Sequence, residues 1–275
     1  MSRFRLVLEP GRADRQYWRD LWAFRELLFQ LARRDVAVHY KQTVIGIGWA
    51  VARPLVTVVI LTVVFSRVAK LTADGDVWYP LFVLAGMIGW QFFAALLGES
   101  ANSLVGNANL VSKVYFPRLL VPLSAAGVPL IDLLVLAPFL VGMMICAGVA
   151  PGWPVVFAPL FLLLAAATAL GFGFGLCALN VRYRDVRYVI PFVLQFGVYV
   201  SPIGYATSQV PGEYQLLYHL NPMVFVIDGL RWSVLGVGDP FAGGGWIVSV
   251  TVTLSALLAG VWYFRRTERT FADVI

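Results

Sequence analysis

The chain has 275 residues, of which 60% are hydrophobic and only 13% charged, and its mean hydropathy is +0.78. Soluble domains carry about 25% charged residues, and a fold of this size exposes too much surface to hide so much apolar area from water. The composition therefore describes an integral membrane protein and excludes a disordered chain, a disulfide scaffold and a soluble enzyme, and the net charge of +6 acts through its placement.

Residues 1–43 are charged throughout and lack the apolar core of a cleavable leader. Residues 20–34 predict an amphipathic helix with Asp20 as N-cap. Leu21, Phe24, Leu27, Leu28 and Leu31 share one face, while Arg25, Glu26, Gln30, Arg33 and Arg34 share the other. Trp22 and Phe29 fall on the polar flank. Such a helix lies in the headgroup plane, as an anchor to anionic lipid or as a docking surface.

A membrane span needs about 20 apolar residues, and charge-free runs locate six of them, at about 46–66, 79–98, 120–146, 156–179, 188–207 and 243–264. The first carries Arg53 and Pro54 close to its start. The third and fourth share one long run, divided by Gly148, Pro151, Gly152 and Pro154. Six spans place both termini on one side. Eighteen of the 21 basic residues then fall on that side and three (Arg67, Lys70, Arg231) on the other, which makes the termini cytoplasmic. The chain divides into a cytoplasmic segment at 1–45, a transmembrane domain at 46–264 and a cytoplasmic tail at 265–275.

Three connecting segments stand out. The 100–118 loop predicts a partly helical cytoplasmic piece ending at Pro117. Its clustered Leu110, Val111, Val114, Tyr115 and Phe116 either sink into the membrane interface or fill a groove on a partner. The 180–188 loop is short and basic. The external 208–238 segment predicts short helices on or in the outer leaflet, broken at Pro222.

Catalytic chemistry is thinly represented. His39 and His219 fall on opposite sides of the membrane, and no metal-ligand spacing or acid–base pair occurs. Cys146 and Cys177 are expected at opposite faces, too far apart for a disulfide. Asp132 is the one carboxylate deep in a span, a functional candidate by position that reads first as hydrogen-bonded to a neighbouring helix. The three lysines, Lys41, Lys70 and Lys113, follow Tyr40, Ala69 and Ser112, so no P-loop is present. Gly171 and Gly175, four apart inside a span, predict close helix packing rather than a dinucleotide fingerprint. Tyr188, Phe192, Phe196 and Tyr199 make an aromatic stripe about 16 Å long on span five, with Gln195 beside it and Tyr205 above. The stripe faces lipid, packs on a helix or offers aromatic planes to sugar rings. Trp90, Phe92 and Phe93 in span two allow the same readings.

Several motifs resemble those of permeases of polysaccharide-exporting ABC transporters, the O-antigen, teichoic-acid and capsule exporters. They are Arg33-Arg34-Asp35, Tyr40-Lys41-Gln42-Thr43-Val44-Ile45-Gly46 with Trp49-Ala50 and Pro54, then residues 107–117, residues 180–188, Asn221-Pro222 and the tail at 265–273. The resemblance runs from about residue 20 to the end and is nearer the O-antigen and teichoic-acid branch. Residues 1–19 match nothing assignable.

The resemblance implies an all-α protein of six spans with an N-terminal interface helix, a coupling helix and short external gate helices. It implies a homodimer paired with two copies of a separate P-loop ATPase, which holds the ATP and Mg; this chain holds no cofactor and contacts no nucleic acid. The cargo it implies is a lipid-linked polysaccharide, on undecaprenyl diphosphate, crossing the bacterial inner membrane. Coupling to the ATPase maps onto Asn107, Asn109, Leu110, Lys113, Tyr115, Phe116, Pro117 and Arg118. Arginine engages phosphate bidentately, which makes Arg33, Arg34, Lys41 and Arg53 the diphosphate contacts at the cytoplasmic mouth. Channel lining falls to Trp90, Phe92, Phe93, Tyr188, Phe192, Gln195, Phe196, Tyr199 and Tyr205, and the external gate to Asn221, Pro222 and Arg231. The rival readings are a polytopic enzyme acting on lipid-linked sugars, a gradient-driven transporter using Asp132, and a permease for small lipids or drugs.

Overall fold

The computed structural model describes residues 13–41, 47–114, 116–183, 185–268 and 271, with the side chains of 13–16, 47 and 112 left aside. Helices α1 (Ala13–Ala23) and α2 (Arg25–Lys41) precede α3 (Ile47–Thr62), which continues as a π-helical turn through Val63–Val68. Then come α4 (Tyr79–Gly106), α5 (Ala108–Lys113), α6 (Leu120–Ser124) and α7 (Gly127–Cys146). A 3-10 turn at Trp153–Phe157 leads into α8 (Ala158–Arg182), followed by α9 (Val186–Val200), α10 (Gly212–Tyr218), α11 (Pro222–Leu235) and α12 (Gly245–Thr267). No strand occurs among the described residues.

Five helical stretches are long and apolar enough to cross a membrane: Gly48–Val68, Tyr79–Gly106, Leu120–Cys146, Trp153–Arg182 and Ala242–Thr267. They match five of the six expected spans. The remaining one differs: α9 has 15 residues, about 22 Å at 1.5 Å per residue, and stops at Val200 rather than near 207. The stop is local chemistry. Pro202 has no N–H to continue the helix and pushes Ser201 out of helical backbone, and Ser201 is extended at φ −94°, ψ 150°.

α4 is the axis of the bundle and packs against α3, α7, α8, α9 and α11. Residues 81–90 are buried without interruption, as expected of a helix apolar all round. α8 lies between α4 and α12. A Cβ at Gly260 would stand 2.0 Å from the Gly171 carbonyl oxygen, so these two glycines set the α8–α12 distance. Gly175, expected to share that role, has open space beside it.

α11 enters the bundle without crossing it. At 14 residues it is about 21 Å long, and most of it is buried against α4, α8 and α12. Its start is encoded locally: the Asn221 side chain accepts from the Met223 amide at 3.1 Å and Pro222 takes the first helical position. Pro222 thus begins a helix here instead of breaking one. Gly236, at φ 68°, ends it.

The N-terminal helix expected at 20–34 is longer and divided at Phe24 into α1 and α2. Its apolar face behaves as the periodicity requires. Leu21, Phe24, Leu27 and Leu28 pack on a cluster containing Phe116, Phe174, Phe264 and Phe271, while Trp22 and Phe29 stay exposed.

Candidate functional site

Basic side chains gather at one end of the bundle, on α1, α2, the start of α3, α5, the ends of α8 and α12, and Arg118. Arg67, Lys70 and Arg231 lie toward the other. At the basic end, α2, α3, α4 and α7 converge on a recess of about 480 Å³. Helical spacing builds each wall. α4 contributes Ile88, Gln91, Phe92, Ala95 and Glu99, α7 contributes Val128, Pro129, Asp132, Leu133 and Leu136, α3 contributes Trp49, Ala50 and Arg53, and α2 ends there with His39 and Tyr40.

The Tyr40 hydroxyl donates to Asp132 Oδ1, which ties the end of α2 to α7 and answers the expectation of a helix-to-helix bond for Asp132. Burial, reinforced by that bond, holds the Tyr40 hydroxyl above the ordinary phenol range, so it stays a donor. The Arg53 guanidinium lies 6.0 Å from the Trp49 ring centre, with both side chains open to the outside of the protomer. Among the described residues it makes no hydrogen bond or ion pair. Of the four cations expected to meet a diphosphate, Arg53 alone lines the recess.

Arg34 is engaged elsewhere. It donates to Asp35 Oδ1 at 2.6 Å and to Asn107 Oδ1 at 2.5 Å, linking α2 to the residue that separates α4 from α5. Arg33 and Lys41 are exposed.

The segment after α4 is held by its flanks. Phe116 and Pro117 are buried and anchor it, because the Phe116 ring packs in the cluster with Phe174, Phe264 and Phe271. Phe116 is therefore turned inward instead of outward to a partner. Arg118 is locked to the far end of the chain: its amide donates to Glu268 Oε1 at 2.9 Å and its guanidinium to the Glu268 carbonyl. Asn180, buried at the end of α8, donates to the Ala101 carbonyl and to Asn102 Oδ1. Leu110 is half-buried, while Asn109, Lys113 and Val114 are exposed and form the outward surface. Tyr115 lies outside the described residues, as do 42–46, Arg184, Arg269 and 272–275.

At the opposite end the stretch at 201–206 is tied down by side chains. Arg231 is 2% exposed and donates to three carbonyls: Ile203 at 2.7 Å, Phe82 at 3.2 Å and Tyr205 at 3.3 Å. Its Cζ sits 3.5 Å from the Phe82 ring centre, and Asp228 lies 3.9 Å away. The Tyr79 hydroxyl donates to the Gly204 carbonyl, and Asn221 donates to Ser201 Oγ at 2.9 Å. Non-helical backbone at membrane depth needs such partners, and these groups satisfy the stretch at 201–206 where α9 has ended. Arg231 and Asn221 thus hold the chain in place, and Tyr205, bonded to Tyr218 at 2.8 Å, belongs to this end.

The aromatics expected to line a channel divide accordingly. Tyr188, Phe192, Gln195, Phe196 and Tyr199 are exposed on one face of α9, with the Phe192 and Phe196 rings 4.5 Å apart. Trp90 and Phe93 are instead buried inside the protomer, because α4 is its axis. The Trp90 ring fills the space a side chain at Gly197 would need. Phe92 borders the recess.

Residues 26–235 match the family model described as ABC-2 type transporter. The chain belongs to that family. It is 26% identical over 263 residues to the O-antigen export system permease protein RfbA of Myxococcus xanthus, covering 94% of this chain and 98% of that protein. A Klebsiella pneumoniae protein of the same name is 26% identical over 254 residues, 91% of this chain and 95% of the relative. The polysialic acid transport protein KpsM of Escherichia coli is 24% identical over 238 residues, 86% and 91%. With its apolar helices, the family makes this a multi-pass membrane protein.

The sequence passed over His39, Tyr40, Trp49, Gln91 and Glu99 as site residues. Gln91 carried a signal, as the only amide in the charge-free run of α4 and eight residues from Glu99.

Proposed function

We propose that this chain is the membrane-spanning permease of an ABC exporter that moves a lipid-linked polysaccharide of the O-antigen kind across the bacterial inner membrane. Near-complete coverage of the RfbA relatives supports the cargo class. Two permeases work with two copies of a separate ATPase that binds ATP and Mg. α9, with its turn at 201–206, completes the six spans as the fifth in chain order, and the basic end faces the cytoplasm, in keeping with the positive-inside rule.

The observation that carries the mechanism is the placement of α2. It is bonded to Asn107 beside the coupling segment through Arg34, and to Asp132 in the recess through Tyr40, six residues on. Closure of the ATPase pair pushes on the exposed face of α5 and the residues after it. α2 carries that displacement to the mouth where the lipid diphosphate rests on Arg53. The aromatic face of α9 then offers the glycan planes to slide on, between the two copies.

The test is the mass of the intact complex taken from native membrane in mild detergent. Two copies of this chain with two P-loop ATPase chains are expected. A stable permease with no ATPase in the preparation would favour the enzyme or gradient-driven readings.

A further inference from the structure

The recess is more than an anion site. A pocket built for phosphate alone gathers donors, yet this one sets two carboxylates, Asp132 and Glu99, among the same walls as Arg53 and His39. A diphosphate pushed inward would meet these two carboxyls instead of further donors. An isoprenoid tail would pack on Ile88, Phe92 and Ala95 of the α4 wall but leave Gln91 and Glu99, on that same wall, without partners. The volume, about 480 Å³, falls within the range of about 300–1,000 Å³ typical of small-molecule sites.

The lining suits a neutral ring carrying several hydroxyls. Carboxyl oxygens accept hydrogen bonds, a guanidinium only donates and an amide does both. Asp132 gives one oxygen to Tyr40 and keeps acceptor capacity on the other. The Trp49 ring, half exposed at the mouth, offers a plane for the C–H face of a sugar. We infer that the recess binds the sugar residue nearest the lipid diphosphate, with Asp132, Glu99 and Gln91 holding its hydroxyls, Trp49 its ring face, and the diphosphate left at the rim on Arg53. The inference rests on the lipid-linked cargo proposed above and makes the recess a checkpoint for glycosylated over bare carrier lipid.

The experiment uses the full permease–ATPase complex in lipid nanodiscs. Binding is measured for undecaprenyl diphosphate, and for the same lipid bearing a single N-acetylhexosamine or a single hexose. The wild-type complex is expected to prefer at least one glycosylated lipid by about tenfold, the worth of one charge-assisted hydrogen bond. Asp132→Asn combined with Glu99→Gln should bring the two classes of lipid level. Trp49→Ala, which leaves every carboxylate in place, should also erode the preference. Arg53→Ala should weaken all the lipids alike. Equal wild-type affinity for glycosylated and bare lipid, with Arg53 still needed, overturns the sugar subsite and leaves the proposed cargo standing. A tenfold preference that survives all the recess substitutions also overturns it. Failure of every lipid to bind overturns the subsite together with the cargo.

Discussion

Each end of the bundle sets an arginine against an aromatic ring, and the two are used in opposite ways. Arg231 is buried, its Cζ 3.5 Å from the Phe82 ring centre, and its donors are taken up by three carbonyls of the chain itself. Arg53 is exposed beside Trp49, 6.0 Å from the ring centre, at the edge of a recess with room for a ligand. Where the backbone leaves helical geometry inside the bundle, an arginine stabilises it; where four helices leave a gap, an arginine waits for a partner from outside. Burial, rather than residue type, separates the cation that holds the chain from the one left open to a ligand.

Substitutions can break that comparison, and the largest effect is expected at the Arg231 end. Arg231→Ala orphans three buried acceptors and the Asp228 charge, which should cost about 3–5 kcal/mol. Thermal unfolding of the purified protein in detergent should fall by several degrees, and an unchanged midpoint would mean water already serves those carbonyls. Next in size is Gly260→Val, which drives a side chain into the Gly171 carbonyl. It should lose about 1–3 kcal/mol by forcing α8 and α12 apart, read in the same melt.

At the recess the stability effects shrink. Tyr40→Phe removes the bond to Asp132 at a partly open site and should cost about 1 kcal/mol, while reducing transport per ATP hydrolysed because α2 is uncoupled from α7. Normal transport efficiency would contradict that role for α2.

The smallest effect is a pH signature at the tail lock. Burial raises the Glu268 carboxyl above its ordinary value of 4.5, against the opposing pull of the Arg118 amide. The folded chain therefore holds this proton more tightly than the unfolded one. The resulting stability is fully present below pH 4.5 and is lost as pH rises through the raised value. Glu268→Gln should remove that slope, shifting the wild-type-minus-variant melting difference by no more than a few degrees between pH 4.5 and 7. A wild-type protein that gains stability relative to the variant over that range would contradict the buried assignment.

Long charge-free runs made five of the spans legible, because the bilayer demands a fixed apolar length. The end of α9 was not, since the Ser201-Pro202 step breaks a helix inside an apolar run and hydropathy does not register it. The placement of candidate residues was legible where chemistry is local, as with Arg53 beside Pro54 or the exposed face of α9. They were hidden where the site is assembled from four helices: His39, Gln91 and Glu99 share no motif and meet only through packing. Trp90 and Phe93 misled for the same reason, because an aromatic in an axial helix looks, residue by residue, like one on a channel wall.

The most direct test replaces Gln91 with a photo-crosslinking amino acid in cells making the polysaccharide, with Tyr205 replaced likewise as the opposite-end control. Illumination while ATP hydrolysis is blocked should join the glycolipid to the Gln91 position and not to the Tyr205 position, seen as a glycan-bearing adduct of the permease. A permease that assembles with its ATPase yet captures no glycolipid at Gln91, or captures it only at Tyr205, would contradict the claim that the recess receives the cargo.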